Sequence, residues 1–319
     1  MPSEFYTDER FFELSKEKIF ARTWQFAGRT EDLSVVTPID VVGEPLLLTK
    51  ADSGLHCMSN VCTHRGKILV EEPCEANLIR CGYHGRRFSL DGKFLSMPEF
   101  EGVESFPSVA DDLASVPVDH TGGFSFVSLD PVDMLAEFVS DEAIMPMGKG
   151  KLKLSSTNEY RVNAHWALYC ENYLEGFHIP FVHKSLNEIV DFVTYSTELF
   201  RYASVQTGYE ADGKLAARYL FIFPNTMFNF YPWGVSVNVV RPVSSSESVV
   251  EYLTYVSDES LVDEGAGADL HGVELEDEAI VESVQRGIRS RYYSHGRYSP
   301  TREQGTHHFH RLIAEFFGQ

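Results

Sequence analysis

The chain has 319 residues, of which 43% are hydrophobic, and a formal net charge of −20 at pH 7. This length provides for one large or two modest domains, and the hydrophobic fraction is that of an ordinary globular protein. The negative charge argues against binding nucleic acid or an anionic membrane through a basic surface. The charged N-terminus has no apolar run, and no segment approaches the roughly 20 apolar residues that span a bilayer, so we expect a soluble, cytoplasmic protein.

The pattern of apolar residues in the N-terminal part of the chain changes near Val35. Phe11, Phe12, Leu14, Ile19 and Phe20 recur at roughly helical intervals after Thr7 and predict a helix to about Arg22. From Val35 onward, short apolar runs are separated by Gly, Asp and Pro, and Asp91-Gly92 is a typical hairpin turn. We therefore predict an N-terminal helical segment (1–33) that packs on the C-terminal domain (132–319), followed by a small antiparallel β domain (34–131).

Two loops of this β domain carry paired metal-ligand residues. They read Cys62-Thr-His64-Arg-Gly66 and Cys81-Gly-Tyr-His84-Gly85, with sixteen residues between His64 and Cys81. The glycines allow tight turns that direct the side chains to a common point. A zinc site of two Cys and two His uses the same ligands. A Rieske 2Fe-2S cluster takes two Cys on one iron and two His on the other, and the order and spacing here match Rieske proteins.

The remaining cysteines, Cys57, Cys74 and Cys170, lie outside this pattern. Five cysteines make an odd count in a chain without an export signal, which favours thiols or metal ligands over a disulfide framework. We expect these three to be buried thiols.

A second candidate metal site lies in the segment Glu171–His183. Two imidazoles and one carboxylate form the arrangement that activates O2 at non-haem Fe(II), although two nearby histidines are often structural. On a regular helix His178 and His183 would lie about 140° apart. Pro180 stands between them and is expected to kink or widen the helix that starts at His165-Trp166, which could bring both rings onto one metal.

The third ligand can come from the acidic run Glu274-Leu-Glu-Asp-Glu278. Helical periodicity places Asp277 in one stripe with Ile280, Val281, Val284 and Ile288, whereas Glu276 and Glu278 point to either side. An acid on an apolar face is costly unless it is paired or bound to a metal. An acidic helix start favoured by the macrodipole explains Glu274 and Glu276, but Asp277 less well. We therefore predict Asp277 as the ligand.

Together these motifs resemble those of the Rieske non-haem iron oxygenases, the terminal α subunits of ring-hydroxylating dioxygenases and related monooxygenases, over nearly the whole chain. The resemblance implies an α+β fold, in which an all-β Rieske 2Fe-2S domain precedes a helix-grip catalytic domain (132–319) with a twisted antiparallel sheet. It implies a 2Fe-2S cluster on Cys62, His64, Cys81 and His84, and a mononuclear Fe(II) on His178, His183 and Asp277. The Val284-Gln-Arg-Gly287 segment after Asp277 agrees with the family.

Glu175 precedes His178 by three residues. In this family that position holds a carboxylate, commonly Asp, that bridges a Rieske histidine of one subunit to an iron-ligand histidine of its neighbour. Glu is one methylene longer. Such a bridge orients the ligand and offers an electron path. It also implies a ring of subunits, most simply a homotrimer, since cluster and iron within one chain are then too far apart to communicate.

The segment Phe221–Trp233 is unusually aromatic, and core packing explains most of its rings. The sharper prediction is a substrate pocket lined by Asn172, Phe228, Phe230, Tyr231 and Trp233. Aromatic walls suit a planar ring or a quaternary ammonium group. The run, together with Gln285-Arg286-Gly287, resembles the choline monooxygenase and carnitine oxygenase branch, which favours a choline-, betaine- or carnitine-like substrate. Ring hydroxylation or O-demethylation of an aromatic compound remains the alternative.

The predicted activity is that of a terminal oxygenase that uses O2 and electrons from NAD(P)H. No Gly-rich nucleotide-binding loop occurs in the chain, so a separate flavin-containing reductase is required, with or without a ferredoxin. An electron carrier would end near residue 131, and a zinc-stabilised ligand-binding protein is a further alternative. His307-His308-Phe-His310 is expected to serve packing or a subunit contact.

Overall fold

The structure is a computed structural model that describes residues 1–140, 143, 151–262 and 264–318. Its helices are α1 (Ser3–Thr7), α2 (Glu9–Lys18), α3 (Leu135–Phe138), α4 (Trp166–Tyr173), α5 (Ile179–Val182), α6 (Lys184–Ile189), α7 (Leu270–Ile288) and α8 (Gln304–Gly318). Its strands are β1 (Gln25–Arg29), β2 (Val36–Val41), β3 (Glu44–Ala51), β4 (Gly54–Ser59), β5 (Ile79–Arg80), β6 (Arg87–Phe88), β7 (Phe94–Ser96), β8 (Ser115–Val116), β9 (Val118–Thr121), β10 (Phe124–Val127), β11 (Lys153–Val162), β12 (Ser196–Leu199), β13 (Ala203–Tyr209), β14 (Leu215–Ile222), β15 (Thr226–Tyr231), β16 (Gly234–Ser244) and β17 (Glu247–Val256). Among these described residues, no helix is long and apolar enough to cross a membrane.

The chain divides into two compact units. One consists of Phe20–Val132, and the other joins Met1–Ile19 to Asp133–Gln319. Residues 20–33 thus group with the β-rich unit, and only the first helices group with the C-terminal one.

The Phe20–Val132 unit is built from small antiparallel sheets. Their strand orders are β2-β3-β4-β8, β1-β10-β9 and β5-β6-β7. The predicted turn at Asp91-Gly92 connects β6 to β7, and Ser89 N donates to Lys93 O at 2.9 Å across it. Cys62 and Cys81 belong to the same buried cluster as Leu47, Met58 and Phe88, so the candidate cluster loops are anchored in the core of this unit.

The larger unit is organised around a seven-stranded antiparallel sheet of order β11-β17-β16-β15-β14-β13-β12. Every residue of β15 is buried, and so are the first seven residues of β16, because both strands lie in the interior of the sheet. The two strands pair as an antiparallel hairpin that turns at Pro232-Trp233. The α+β class with antiparallel sheets is confirmed.

The N-terminal residues pack on the rest of the larger unit. Asp8 caps α2 by accepting a hydrogen bond from Arg10 N, and α2 ends at Lys18 rather than near Arg22. The Phe5 ring lies 5.0 Å from that of His165 and 5.9 Å from that of Phe317. These edge-to-face contacts hold α1 against the start of α4 and the end of α8.

One of the C-terminal histidines, His310, serves the same attachment. His310 is buried in α8 and pairs with Glu171 at 2.9 Å, and its ring also lies 3.3 Å from the Tyr6 hydroxyl. His310 is thus a packing residue that joins the two ends of the chain to α4.

The segment with the two candidate iron histidines is not one kinked helix, as the sequence analysis predicted. α4 ends at Tyr173, and His178 and His183 flank the separate four-residue helix α5. The Glu175 side chain accepts hydrogen bonds from the Phe177 and His178 N–H groups, in place of helical carbonyls. Pro180 lies in the first turn of α5, where its missing N–H costs nothing.

Candidate metal centres and active-site cavity

The two Cys/His loops of the smaller unit have the same backbone geometry. Cys62 N donates to Lys67 O at 2.9 Å and Gly66 N to Cys62 O at 2.9 Å; the corresponding distances in the second loop, Cys81 N to Arg86 O and Gly85 N to Cys81 O, are 2.8 and 3.0 Å. Gly66 and Gly85 adopt φ angles of +70° and +76°, which residues with a Cβ atom rarely adopt. The sequence thus folds into two matched turns.

These turns separate the four side chains into a thiol pair and an imidazole pair. The Cys62 and Cys81 thiols are buried within hydrogen-bonding distance of each other. The His64 and His84 rings lie 4.8 Å apart, and His84 is exposed. A Rieske cluster takes two thiolates on one iron and two imidazoles on the other, so this separation into pairs fits a two-iron cluster.

Backbone N–H groups are directed at the cysteine sulfurs. Tyr83 N lies 3.5 Å from Cys81 Sγ. Burial raises the pKa of the Cys81 thiol, but the Tyr83 and His84 N–H groups, the Cys62 thiol and the charge of Lys67 together outweigh burial and lower that pKa. A depressed thiol pKa favours the thiolate that a metal requires. Of the other cysteines, Cys57 and Cys170 are buried as predicted, whereas Cys74 is exposed, so the prediction for Cys74 was wrong.

In the larger unit, His178, His183 and Asp277 form the group of potential ligands whose atoms all lie within 4.8 Å of one another. His178 Nε2 is 3.1 Å from His183 Nε2, and Asp277 Oδ1 is 3.0 Å from His183 Nε2 and 3.6 Å from His178 Nε2. Two neutral nitrogens and one carboxylate oxygen on one side suit non-haem Fe(II) with open positions. The donor set therefore fits a mononuclear iron.

Three further polar side chains hold this triad. Glu175 Oε1 lies 2.8 Å from His178 Nδ1, and Glu276 Oε2 lies 2.7 Å from His183 Nδ1. Asn172 Nδ2 donates to Asp277 Oδ1 at 2.6 Å. Each carboxylate fixes the ring tautomer that leaves Nε2 free for a metal. Helical periodicity excluded Glu276 as a ligand, and in the structure Glu276 contacts a candidate ligand, His183, instead.

The buried face of α7 differs from the predicted stripe. Glu274, Val281, Gln285 and Ile288 are its buried residues, whereas Ile280 and Val284 are 39% and 42% exposed. The inward face of the helix therefore carries polar as well as apolar residues, and two of them, Glu274 and Asp277, point toward the cavity described next.

Beside the triad lies a cavity with about 750 Å³ of space free of protein atoms, part of which is open to solvent. Its walls carry six tyrosines: Tyr169, Tyr173, Tyr195, Tyr219, Tyr231 and Tyr252. Of the residues predicted for the substrate pocket, Asn172 and Tyr231 line this cavity, and Phe228, Phe230 and Trp233 do not.

Strand alternation explains the difference. Phe228 and Phe230 lie on the opposite face of β15 from Asn229 and Tyr231. Their rings stack on each other in the core at 6.1 Å. Trp233 stacks behind Tyr231 with ring centroids 5.0 Å apart and supports it without reaching the cavity. The alternation of Phe with Asn and Tyr was visible in the sequence and could have assigned the faces.

Sequence reasoning missed five of the tyrosines and Glu274. The tyrosines come from α4, β14, β17 and the segment before β12, and no local pattern joins them. Glu274 had been assigned to an ordinary acidic helix start, yet it is 2% exposed and lines the cavity.

Two family models match the chain. One, described as a Rieske 2Fe-2S domain, matches residues 23–107, and the other, described as the catalytic domain of the ring hydroxylating alpha subunit, matches residues 193–319. The first range contains both Cys/His loops, and the second contains Asp277.

Relatives align over almost the whole chain. Chloroplastic choline monooxygenase of Beta vulgaris is 30% identical over 98% of this chain and 76% of the relative. The carnitine monooxygenase oxygenase subunit of Escherichia coli (strain K12) is 29% identical over 99% of this chain and 93% of the relative.

Solved structures of Rieske oxygenases are also similar to this chain. The quaternary ammonium Rieske monooxygenase CntA in complex with L-carnitine superposes with a TM-score of 0.84 at 28% identity, over 99% of this chain and 95% of that one. Naphthalene 1,2-dioxygenase from Rhodococcus sp. has the same fold, with a TM-score of 0.84 at 15% identity over 99% of this chain and 94% of that one. The chain belongs to the Rieske non-haem iron oxygenase family, as a terminal oxygenase subunit.

Proposed function

We propose that the protein hydroxylates a small quaternary ammonium compound, with O2 and with electrons that reach it from NAD(P)H through a separate flavin-containing reductase, with or without a ferredoxin. The observation that carries the substrate assignment is the tyrosine-walled cavity beside the His178, His183 and Asp277 triad. The similarity to choline and carnitine monooxygenases supports the same class.

In this proposal Cys62, His64, Cys81 and His84 hold a Rieske 2Fe-2S cluster, and His178, His183 and Asp277 hold a mononuclear Fe(II). When bound, the cluster supplies single electrons and the iron supplies the site at which O2 is activated. The chain's own residues exclude water around the substrate and keep the ligand rings in the correct tautomer. Glu175 and Glu276 perform the second task through their contacts with Nδ1 of the two histidines.

The tyrosine walls suit a rounded cation. Tyr219 stands nearly perpendicular to both Tyr173 and Tyr231, with ring centroids 6.4 and 6.2 Å apart and interplanar angles of 89° and 81°. A quaternary ammonium group has no N–H to donate, so π faces on several sides are its strongest neutral partners. Burial raises the pKa of Tyr219 and Tyr231, which keeps both hydroxyls neutral.

Glu175 is the proposed link between subunits. Its Oε1 already contacts His178 Nδ1 within the chain, and its Oε2 accepts from backbone N–H groups that fix the side chain. Oε1 retains a lone pair for a second imidazole, and the exposed His84 offers one from a neighbouring subunit. This geometry supports a ring of subunits, most simply a homotrimer.

A single-turnover assay tests the substrate class. Protein with both metal sites filled is reduced chemically and exposed to O2 with choline, glycine betaine, L-carnitine and a panel of aromatic acids, and products are identified by mass spectrometry. Product from a quaternary ammonium compound alone is expected. Product from an aromatic acid alone would overturn the assignment and make the tyrosines the wall for a planar ring.

Iron content tests the two metal sites separately. Wild-type protein should bind three irons per chain, two in the cluster and one in the triad. Asp277→Ala should retain two irons and the red-brown colour, and Cys62→Ser should lose the colour. Asp277→Ala protein that still binds three irons would contradict the assignment of the triad.

A further inference from the structure

The cavity is acidic. Three of its lining residues are carboxylic acids, Glu175, Glu274 and Asp277, and among the residues that the structure describes no lysine or arginine lines it. A ligand with a carboxylate of its own would therefore meet no side-chain cation there. A ligand with a positive charge would meet acids on one side and tyrosine rings on the others.

Glu274 differs from the other two acids because the triad does not use it. Glu175 and Asp277 contact the candidate iron histidines. Glu274 Oε2 instead accepts hydrogen bonds from Tyr169, at 2.5 Å, and from Tyr252. Its Oε1 is buried and receives no hydrogen bond from a tyrosine or a backbone N–H, and the polar group that approaches Glu274 from the same helix is another acid, Glu278.

No cation of the described chain forms an ion pair with Glu274. Its nearest charged neighbours on α7, Asp277 and Glu278, are acids and add to the negative charge. Burial raises the pKa of Glu274 well above its usual value. A cation bound beside it would lower that pKa and favour the carboxylate. A carboxylic acid that is 2% exposed and has no counter-ion is unfavourable for folding, and such groups commonly serve binding or catalysis.

We propose that Glu274 is the counter-ion of the substrate's ammonium group, and that it makes the cavity select a cation without a carboxylate, such as a quaternary amino alcohol, over a zwitterion. This rests on the proposed function and narrows its substrate class. The two tyrosine hydroxyls hold Oε2 in place, so the carboxyl group stands at a fixed point of the wall, and a cation that enters favours its ionised form.

Binding of two ligands of the same shape tests this. Choline and 3,3-dimethylbutan-1-ol differ in the replacement of the ammonium nitrogen by carbon, and their dissociation constants are measured by calorimetry on anaerobic, fully metallated protein. Wild-type protein should prefer choline by about tenfold or more, and Glu274→Gln should lose most of that preference. Gln keeps an oxygen that can accept the tyrosine hydrogen bonds, so the charge is the principal change.

Glu282→Gln is the matched control. Glu282 lies on the same helix and accepts from Asn163 N and Nδ2, at 2.9 and 2.7 Å, away from the cavity. An amide oxygen can accept both bonds, so this variant removes one negative charge of α7 and should leave the preference for choline unchanged.

A second comparison sets zwitterionic ligands against choline, and its first part uses the wild-type protein alone. L-Carnitine and glycine betaine should bind more weakly than choline, and in Glu274→Gln this difference should narrow. Tighter binding of L-carnitine than of choline to the wild type would overturn the inference.

The outcomes separate the inference from the proposed function. If no quaternary ammonium compound binds or reacts, the proposed function fails. If choline binds and reacts but Glu274→Gln retains the full preference over 3,3-dimethylbutan-1-ol, the inference fails and the proposed function stands.

Discussion

Glu276 contacts the proposed iron site without belonging to it. Its Oε2 lies 2.7 Å from His183 Nδ1, and 48% of its side chain is exposed. His183 itself is fully buried, so Glu276 is the polar group that connects its ring to the surface. Burial lowers the pKa of His183, and the contacts with Asp277 and Glu276 outweigh burial and raise it. Without a metal the two acids thus favour a charged ring, and a bound metal would replace that proton.

Removal of Glu276 should weaken the mononuclear site. Glu276→Ala leaves His183 Nδ1 without its acceptor, so affinity for Fe(II) should fall about 10- to 100-fold, which is the usual effect of removing a hydrogen-bond partner of a metal ligand. Glu276→Gln keeps an acceptor and should restore most of the affinity. Iron titration of the apo triad measures both, with the cluster absorbance as an internal reference. Equal affinities in Ala and wild type would contradict the orienting role.

Arg86 and Asp111 connect the two cluster loops. Arg86 follows Gly85 directly, is 2% exposed, and donates through Nη2 to Asp111 Oδ1 at 2.5 Å. The Asp111 carbonyl accepts from the Thr63 hydroxyl of the first loop at 2.9 Å. The guanidinium also lies 4.8 Å from the Phe94 ring centroid. One buried cation thus ties both turns to the same segment.

Asp111→Asn should destabilise this unit because it leaves a buried guanidinium without its charged partner. We expect a loss of about 1.5–3 kcal/mol in the free energy of unfolding at pH 7. Asp112→Asn, which affects the exposed pair with Lys93 at 2.9 Å, is the control and should cost less. Denaturation monitored by cluster absorbance measures both. Equal losses would contradict the connecting role.

The effect of Asp111→Asn should depend on pH. The hydrogen bond from Arg86 holds the pKa of Asp111 below its usual value. A carboxylate with a depressed pKa stabilises the fold above the usual pKa, and this stability is lost as the pH falls through the lower folded value. The difference between wild type and Asp111→Asn should therefore be full at pH 7 and shrink below a pH of about 4.

At the level of elements, the break between α4 and α5 shapes both the triad and the cavity. The segment passes under Tyr195, and a Cβ on Gly176 would lie 2.6 Å from the Tyr195 ring. Tyr195 is held from the other side by Gln206, which accepts from its hydroxyl at 3.2 Å. Glycine is thus required for the chain to approach this wall of the cavity.

Gly176→Ala should displace Tyr195. We expect a stability loss of about 1–3 kcal/mol, typical of overpacking, and weaker binding of choline. Gly287→Ala in α7 is the control, since a Cβ there meets no atom within 4 Å and alanine favours a helix. Thermal denaturation and calorimetry measure the two effects. A Gly176→Ala protein with wild-type affinity and stability would show that the wall yields without cost.

For the whole molecule, the proposed transfer of electrons between subunits can be tested by complementation. His84→Ala, which lacks a cluster ligand, and Asp277→Ala, which lacks an iron ligand, should each be inactive. Mixed oligomers that carry both chains, isolated with two affinity tags, should recover activity, because an intact cluster then adjoins an intact triad on another chain. Native mass spectrometry verifies that both chains and the remaining metals are present. Mixed oligomers without activity would favour transfer within one chain.

The predictability of the site differed between its parts for physical reasons. The two Cys/His loops are local motifs with matched turns, so spacing alone indicated their geometry. Asp277 was selected by helical periodicity, although two residues of that stripe, Ile280 and Val284, are exposed. The prediction of one kinked helix through His178 and His183 was wrong because the Glu175 side chain accepts hydrogen bonds from the Phe177 and His178 N–H groups. Helix propensity does not reveal this contact.

The sequence by itself determined the family, the α+β class and the residues of both candidate metal sites, because closely spaced Cys, His and acidic residues carry these features locally. Only the tertiary structure decided which side chains wall the cavity. Its tyrosines come from distant strands and helices. Alternation along β15 places Tyr231 and Phe230 on opposite faces, but both faces are buried, so the sequence did not indicate which of them borders the cavity. The position of Glu274 depends in the same way on how α7 packs beside Tyr169 of α4 and Tyr252 of β17, which is a property of the packed fold.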